Sequence, residues 1–125
     1  MDIAKINVSD TVTVDIYLPD GTLTDLKITA FTVDSKKYKS VAHAIRNKTF
    51  QRRSTANTSE RSLDNAMEIL VKTTKSWENM KENGIDIPCD DENVRRIYTK
   101  FPFITEQIDV AQGRRVDFLT IAPEN

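Results

Sequence analysis

The sequence predicts an α+β fold in which an N-terminal β-hairpin packs on a bundle of about four α-helices. Three observations carry that expectation. Apolar and polar residues alternate from Thr11 to Phe31, a Pro19-Asp20-Gly21-Thr22 turn interrupts the alternation, and apolar residues recur every three or four positions from Tyr38 onward. At 125 residues, with 38% apolar and 30% charged positions, the chain has room and material for one core and none for a second domain. Residues 11–31 are read as the hairpin, 34–119 as the helical part, and 1–10 and 120–125 as flexible ends.

In the first strand Val12, Val14, Ile16 and Leu18 alternate with Thr11, Thr13, Asp15 and Tyr17, the two-residue period of a half-buried strand. Pro19 fixes φ, Asp20 offers an acceptor and Gly21 tolerates a left-handed backbone, so the chain reverses there. Leu26, Ile28 and Ala30 then line one face of the returning strand. A lone hairpin is marginal in water, so its apolar face needs cover, and the helices are the expected source.

Asp34-Ser35 can cap a helix that carries Tyr38, Val41, Ala42 and Ile45 on one face and is expected to fade near Asn47. The polar, aperiodic run 52–58 reads as a connection. A long helix is then expected from Ser59 or Ser62 to about Glu82, with Leu63, Ala66, Met67, Leu70, Val71, Thr74 and Trp77 on one stripe and Asn83-Gly84 as its stop. Asp90 can cap a short helix with Val94, Ile97, Tyr98 and Phe101 inward, and Asp91 and Glu92 suit its positive end. Pro102 fits the first turn of a last helix bearing Phe103, Ile104, Ile108 and Ala111 and running through Gly113 toward Phe118.

Function classes narrow by what the residues can assemble. The three glycines are Gly21, Gly84 and Gly113, too scattered for a phosphate-cradling loop, and no G-x-S-x-G or H-E-x-x-H segment is present. One cysteine, Cys89, and one histidine, His43, cannot supply a structural zinc site, although as a nucleophile and its base they could still meet in space. Asp90-Asp91-Glu92 could hold a hard cation, but a helix start explains it more simply. Neither an enzymatic activity nor a cofactor or metal is expected. No apolar run of bilayer length or signal peptide appears, so a cytosolic protein is expected.

Net charge is only −1, yet residues 34–61 carry +6 between flanks of −3 and −4. That middle can steer an acidic partner, and solvated helix faces produce the same imbalance. Arg46, Lys48, Arg52 and Arg53, with Phe50 among them, are candidate partner-binding residues, together with Phe101 and Phe103 of the Phe-Pro-Phe-Ile cluster. The basic group also fits nucleic-acid phosphates, a reading weakened by a pI near 5.8 and by the lack of a recognition motif.

Three blocks of residues stand in order along the chain. The first is Val14-Asp15-Ile16-Tyr17-Leu18-Pro19-Asp20-Gly21-Thr22, followed by Leu26-Lys27-Ile28-Thr29, Asp34-Ser35 and Tyr38. The second is the helix reaching Trp77, with Asn83-Gly84 and Ile87-Pro88 behind it. The third is Glu92-Asn93-Val94, Tyr98, Phe101-Pro102-Phe103-Ile104, Glu106-Gln107-Ile108 and Phe118-Leu119. In their order and spacing these blocks resemble the tail assembly chaperones of long-tailed bacteriophages, in which a threonine before proline often stands where this chain has Asp90-Asp91. The resemblance implies a protein of the host cytoplasm, absent from the finished virion, that binds the tape measure protein, and in some members the tail tube protein, while the tail is built. Self-association is expected because several copies along one client multiply weak contacts. No nucleic acid or membrane partner is expected. The alternatives are a head–tail connector or tail-completion protein of the virion and, behind it, a nucleic-acid-binding regulator.

Overall fold

The structure, a computed structural model, describes residues 1–52 and 58–122, and the side chains of residues 49–52 and 58–62 also lie outside the description. Among the described residues five helices and seven strands form a mixed α and β chain whose strands make three separate sheets. The expected mixture is present, but a hairpin on a four-helix bundle is not its arrangement.

The central sheet has the order β2-β3-β4, from Thr11–Tyr17, Leu23–Phe31 and Thr74–Glu78, all antiparallel. The hairpin of β2 and β3 lies where the alternation put it. Its loop closes with Leu18 N–H donating to Thr22 and Gly21 N–H to Leu18, and Gly21 takes φ +91°. Asp20 accepts from Thr22 N–H at 2.9 Å, a bond that holds its carboxyl below the usual range. One face of the sheet is dry and carries Ile16, Ile28 and Ala30. The other is wet, with Thr13 and Thr29 hydroxyls 3.0 Å apart and Lys27 bonded to Asp15 at 2.6 Å.

Strand β4 corrects the long helix. Helix α2 spans Thr58–Lys72 and stops ten residues before Glu82, so Trp77 lies on a strand and not on a helix stripe. Thr73 Oγ1 donates back to Ile69 O at 2.6 Å and Thr74 Oγ1 to Leu70 O at 2.8 Å, which satisfies the last carbonyls of the helix with side chains. Phe31 N–H then donates to Thr73 O, and the chain pairs with β3. The β-branched pair Thr73-Thr74 thus ends the helix and starts the strand.

Asn83-Gly84 stops no helix either. With φ of 53° and 78° the two residues form the tip of a two-residue hairpin between β5, Lys81–Glu82, and β6, Ile85–Asp86. Two successive positive φ values are what a tight hairpin demands, and Asn-Gly tolerates them best. Trp77 Nε1 donates to Ile87 O at 2.7 Å and ties this hairpin to the sheet.

Helix α3, Asp91–Lys100, begins as expected at Asp90, whose carboxylate accepts from Asn93 N–H at 2.8 Å. Helix α4, Pro102–Gly113, starts on its proline, and after Arg114 a short helix α5, Arg115–Phe118, replaces the expected continuation. The dry sheet face meets Val94, Ile97 and Tyr98 of α3, Ile104 and Ile108 of α4, and Leu70 and Val71 of α2. Burial of these side chains is the main favourable contribution to the fold. Tyr98 is fully buried with its hydroxyl 2.6 Å from Thr74 Oγ1, and burial pushes its phenol well above the ordinary value.

The ends, expected to be loose, include a ladder. A 3₁₀ turn at Ile3–Lys5 leads to β1, Ile6–Val8, which pairs antiparallel with β7, Leu119–Ile121, setting Ile6 opposite Ile121.

Candidate functional site

Helix α1, Lys36–Arg52, runs about a turn beyond the expected end at Asn47, because Lys48-Thr49-Phe50-Gln51 contains neither glycine nor proline to stop it. Its cap is Ser35, buried, whose Oγ accepts from Tyr38 N–H at 3.0 Å while donating to Thr32 O at 2.7 Å. Of the inward residues only Ala42 is fully buried, while Tyr38, Val41 and Ile45 are half-buried. Its main neighbour is α2.

The helix carries six Lys and Arg residues and no Asp or Glu. Three of its lysines, Lys36, Lys37 and Lys39, crowd the positive end of the helix dipole, where each cation costs about 0.3–1 kcal/mol. Asp34, at the helix start, acts on Lys39 only through space and makes its ion pair elsewhere. Asp34 is clamped by Arg115, Nε to Oδ2 at 2.8 Å and Nη2 to Oδ1 at 2.9 Å, and that guanidinium holds its carboxyl below the usual range. Among the described residues no ion pair forms on Lys36, Lys37, Lys39, Arg46 or Lys48.

At 100° per residue Lys36, Lys39, His43 and Arg46 fall on one flank of the helix, a stripe about 15 Å long. All four are exposed. Beside the stripe lies an open depression of about 520 Å³ lined by Val33, Tyr38, Lys39, Ser40, Ala42, His43 and Arg46. Burial, and then Asp109 nearby, push the Tyr38 phenol above its ordinary value. His43 Nε2 lies 3.2 Å from Asn47 Nδ2 along the same helix.

The sequence-based candidates divide accordingly. Arg46 and Lys48 stand exposed on α1, Arg46 in the stripe and Lys48 on the opposite flank. Arg53 and the side chains of Phe50 and Arg52 lie outside the described residues. Phe101 and Phe103 sit at the α3–α4 junction, half-buried against the core, with ring centroids 6.1 Å apart in an edge-on contact and Lys100 Nζ 5.4 Å from the Phe101 ring. Neither phenylalanine lines the depression beside Arg46. Lys36, Lys39 and His43 are not among the partner-binding candidates that the sequence offers, although the run from Lys36 to Arg52 contains no acid.

A second groove, of about 480 Å³, runs between the outer edge of β2 and α4, lined by residues that include Val14, Tyr17, Gln107 and Val110. Gln107 closes part of it by imitating a strand. Its Oε1 accepts from Tyr17 N–H and its Nε2 donates to Tyr17 O, both at 2.9 Å. Ser9 serves Thr11 in the same way, donating to its carbonyl at 2.8 Å and accepting from its N–H at 3.4 Å. Both devices guard an edge open to pairing with another chain.

Other chemistry-bearing groups have structural occupations. Cys89 packs against the core, and burial, with Asp90 and Asp91 behind it, pushes its thiol up, away from a reactive thiolate. His43 is exposed on α1, and no hydrogen bond joins the two. Asp91 pairs with Lys72 and Asp90 caps α3, which accounts for two of the three acids at that helix start. Among the described residues no cluster of three or more His, Cys, Asp or Glu could hold a metal ion, and no helix is long and apolar enough to cross a membrane. No family model, no curated protein and no solved structure matches the chain, so its own residues carry the functional reading.

Proposed function

We propose that the protein is a tail assembly chaperone of a long-tailed bacteriophage, which binds the tape measure protein in the host cytoplasm and keeps it in solution until the tube encloses it. The observation that carries this reading is the order and spacing of the three sequence blocks between Val14 and Leu119. A client with long apolar helical stretches aggregates unless they are covered, and covering needs surface rather than bond chemistry. The pair of helices α1 and α2 supports the reading by offering such surface. The α2 stripe that buries Leu70 and Val71 continues to Leu63, two turns earlier and 72% exposed, so its apolar run outlasts the core beneath it.

Co-expression with the tape measure protein encoded nearby tests the proposal. The expected result is a soluble client that co-purifies with this chain, together with absence of the chain from purified virions by mass spectrometry. A client that stays insoluble in its presence overturns the reading, and a stoichiometric signal in mature particles replaces it with the head–tail connector or tail-completion alternative.

A further inference from the structure

We propose that the Lys36-Lys39-His43-Arg46 stripe of α1, with the depression beside it, docks an acidic amphipathic segment of a partner polypeptide. The inference deepens the chaperone reading and rests on it only in taking the partner to be a polypeptide.

Charge comes first. The stripe collects cations with no acid on their own helix and no ion pair among the described residues, and Asp34, the carboxylate at the helix start, is occupied by Arg115. Lys36, Lys37 and Lys39 oppose the helix dipole, so the arrangement costs stability in the isolated chain and gains it back only when anions arrive. The depression gives the rest of the specificity. Val33, Tyr38 and Ala42 line it with apolar surface, while Lys39, Ser40, His43 and Arg46 supply cations and polar groups. A helix with leucines on one face and glutamates flanking them satisfies both halves at once. The apolar side chains cover Tyr38 and Val33, and the carboxylates reach Lys39 and Arg46.

A nucleic acid fits less well. Phosphates would use the cations and leave the apolar lining uncovered, and a long polyanion would also run into the acidic remainder of a chain whose net charge is −1. A short acidic segment avoids that repulsion.

Fluorescence anisotropy on the full chain decides, with a labelled leucine–glutamate amphipathic peptide as probe. Its leucine–glutamine counterpart and a thymidine oligonucleotide serve as comparators. The glutamate peptide is expected to bind at least about tenfold more tightly than either, and to weaken as salt rises from about 50 to about 300 mM. The double variant Lys39→Glu, Arg46→Glu should lose about tenfold in affinity or more, at a urea midpoint no lower than that of the wild type, while Lys75→Glu, Lys81→Glu, on exposed residues of β4 and β5, should keep its affinity. Equal loss in both variants, no preference for glutamate, or tighter binding of the oligonucleotide overturns the inference. The two proposals fail separately. If the wild-type chain solubilises the tape measure protein but shows no preference for the glutamate peptide, this docking site is wrong and the chaperone reading stands. If the wild-type chain binds the acidic peptide but leaves that client insoluble, the reverse holds.

Discussion

Arginine has two different occupations in this molecule. Around the core, Arg95 meets Glu68 at 2.8 Å, Arg96 meets Glu82 at 3.1 Å, and Arg115 grips Asp34 at 2.8 Å. On α1, Arg46 faces solvent with no ion pair among the described residues. The same contrast holds for apolar side chains, since Ile28, Tyr98 and Ile108 are fully buried between sheet and helices while Leu63 on α2 stands in water. One region uses its side chains to hold itself together, and the other leaves them uncommitted. A tethered arginine is already satisfied, whereas an idle one next to apolar surface is available to a partner.

The largest effect should come from the core. Ile28→Ala leaves a cavity under α3 and α4 and should lower stability by about 3 kcal/mol in urea unfolding, whereas Leu63→Ala should stay within about 0.5 kcal/mol. Equal costs at the two sites would abolish the distinction between the regions.

Next in size is Gln107→Ala, which strips Tyr17 of both partners at the β2 edge. It should cost about 1–2 kcal/mol and also produce concentration-dependent association by light scattering. A monomeric variant of unchanged stability would mean that the edge needs no guard.

Alkaline titration separates the regions in another way. Because the Tyr98 phenol is raised in the folded chain, the native state keeps its proton where the unfolded chain releases it. Stability is therefore flat with respect to this group below pH of about 10, and falls as pH climbs beyond it. The fall should be shallower in Tyr98→Phe, and an identical slope in both proteins would contradict the buried placement.

The smallest effect has the opposite sign. Lys36→Glu should raise stability by about 0.3–1 kcal/mol, because it puts an anion at the positive end of α1, and it should weaken acidic-peptide binding at the same time. Loss of stability would show that the lysine serves the fold after all.

The legible and illegible parts of the fold differ in how local their causes are. The β2–β3 hairpin, the Asp90 cap and Pro102 at the start of α4 are each decided by a few neighbouring residues, and each was found where the pattern put it. The pattern puts Trp77 on a helix because it sits seven residues after Leu70, a spacing that suits a helix, while Thr74 to Glu78 also tolerates a strand. What decides between them is hydrogen bonding to β3, more than forty residues away in the chain. With the helix extended that far, Asn83-Gly84 reads as its stop, although the same dipeptide is the strongest short hairpin signal. The β1–β7 pairing joins opposite ends of the chain, and three-residue strands carry too little periodicity to announce it. Of the candidate site, the basic excess was visible, but its gathering into one flank with an apolar floor required knowing that Val33 and Tyr38 line the same hollow.

The register that sets Ile6 beside Ile121 bears on connectivity. A short linker from β7 back to β1 would close the backbone between them into a ring with its sheets undisturbed, and the exposed Asn83-Gly84 bend offers a place to cut that ring open again. The order in which the pieces are strung is then exchangeable, and a permuted chain opened at that bend should reach the same native circular dichroism spectrum.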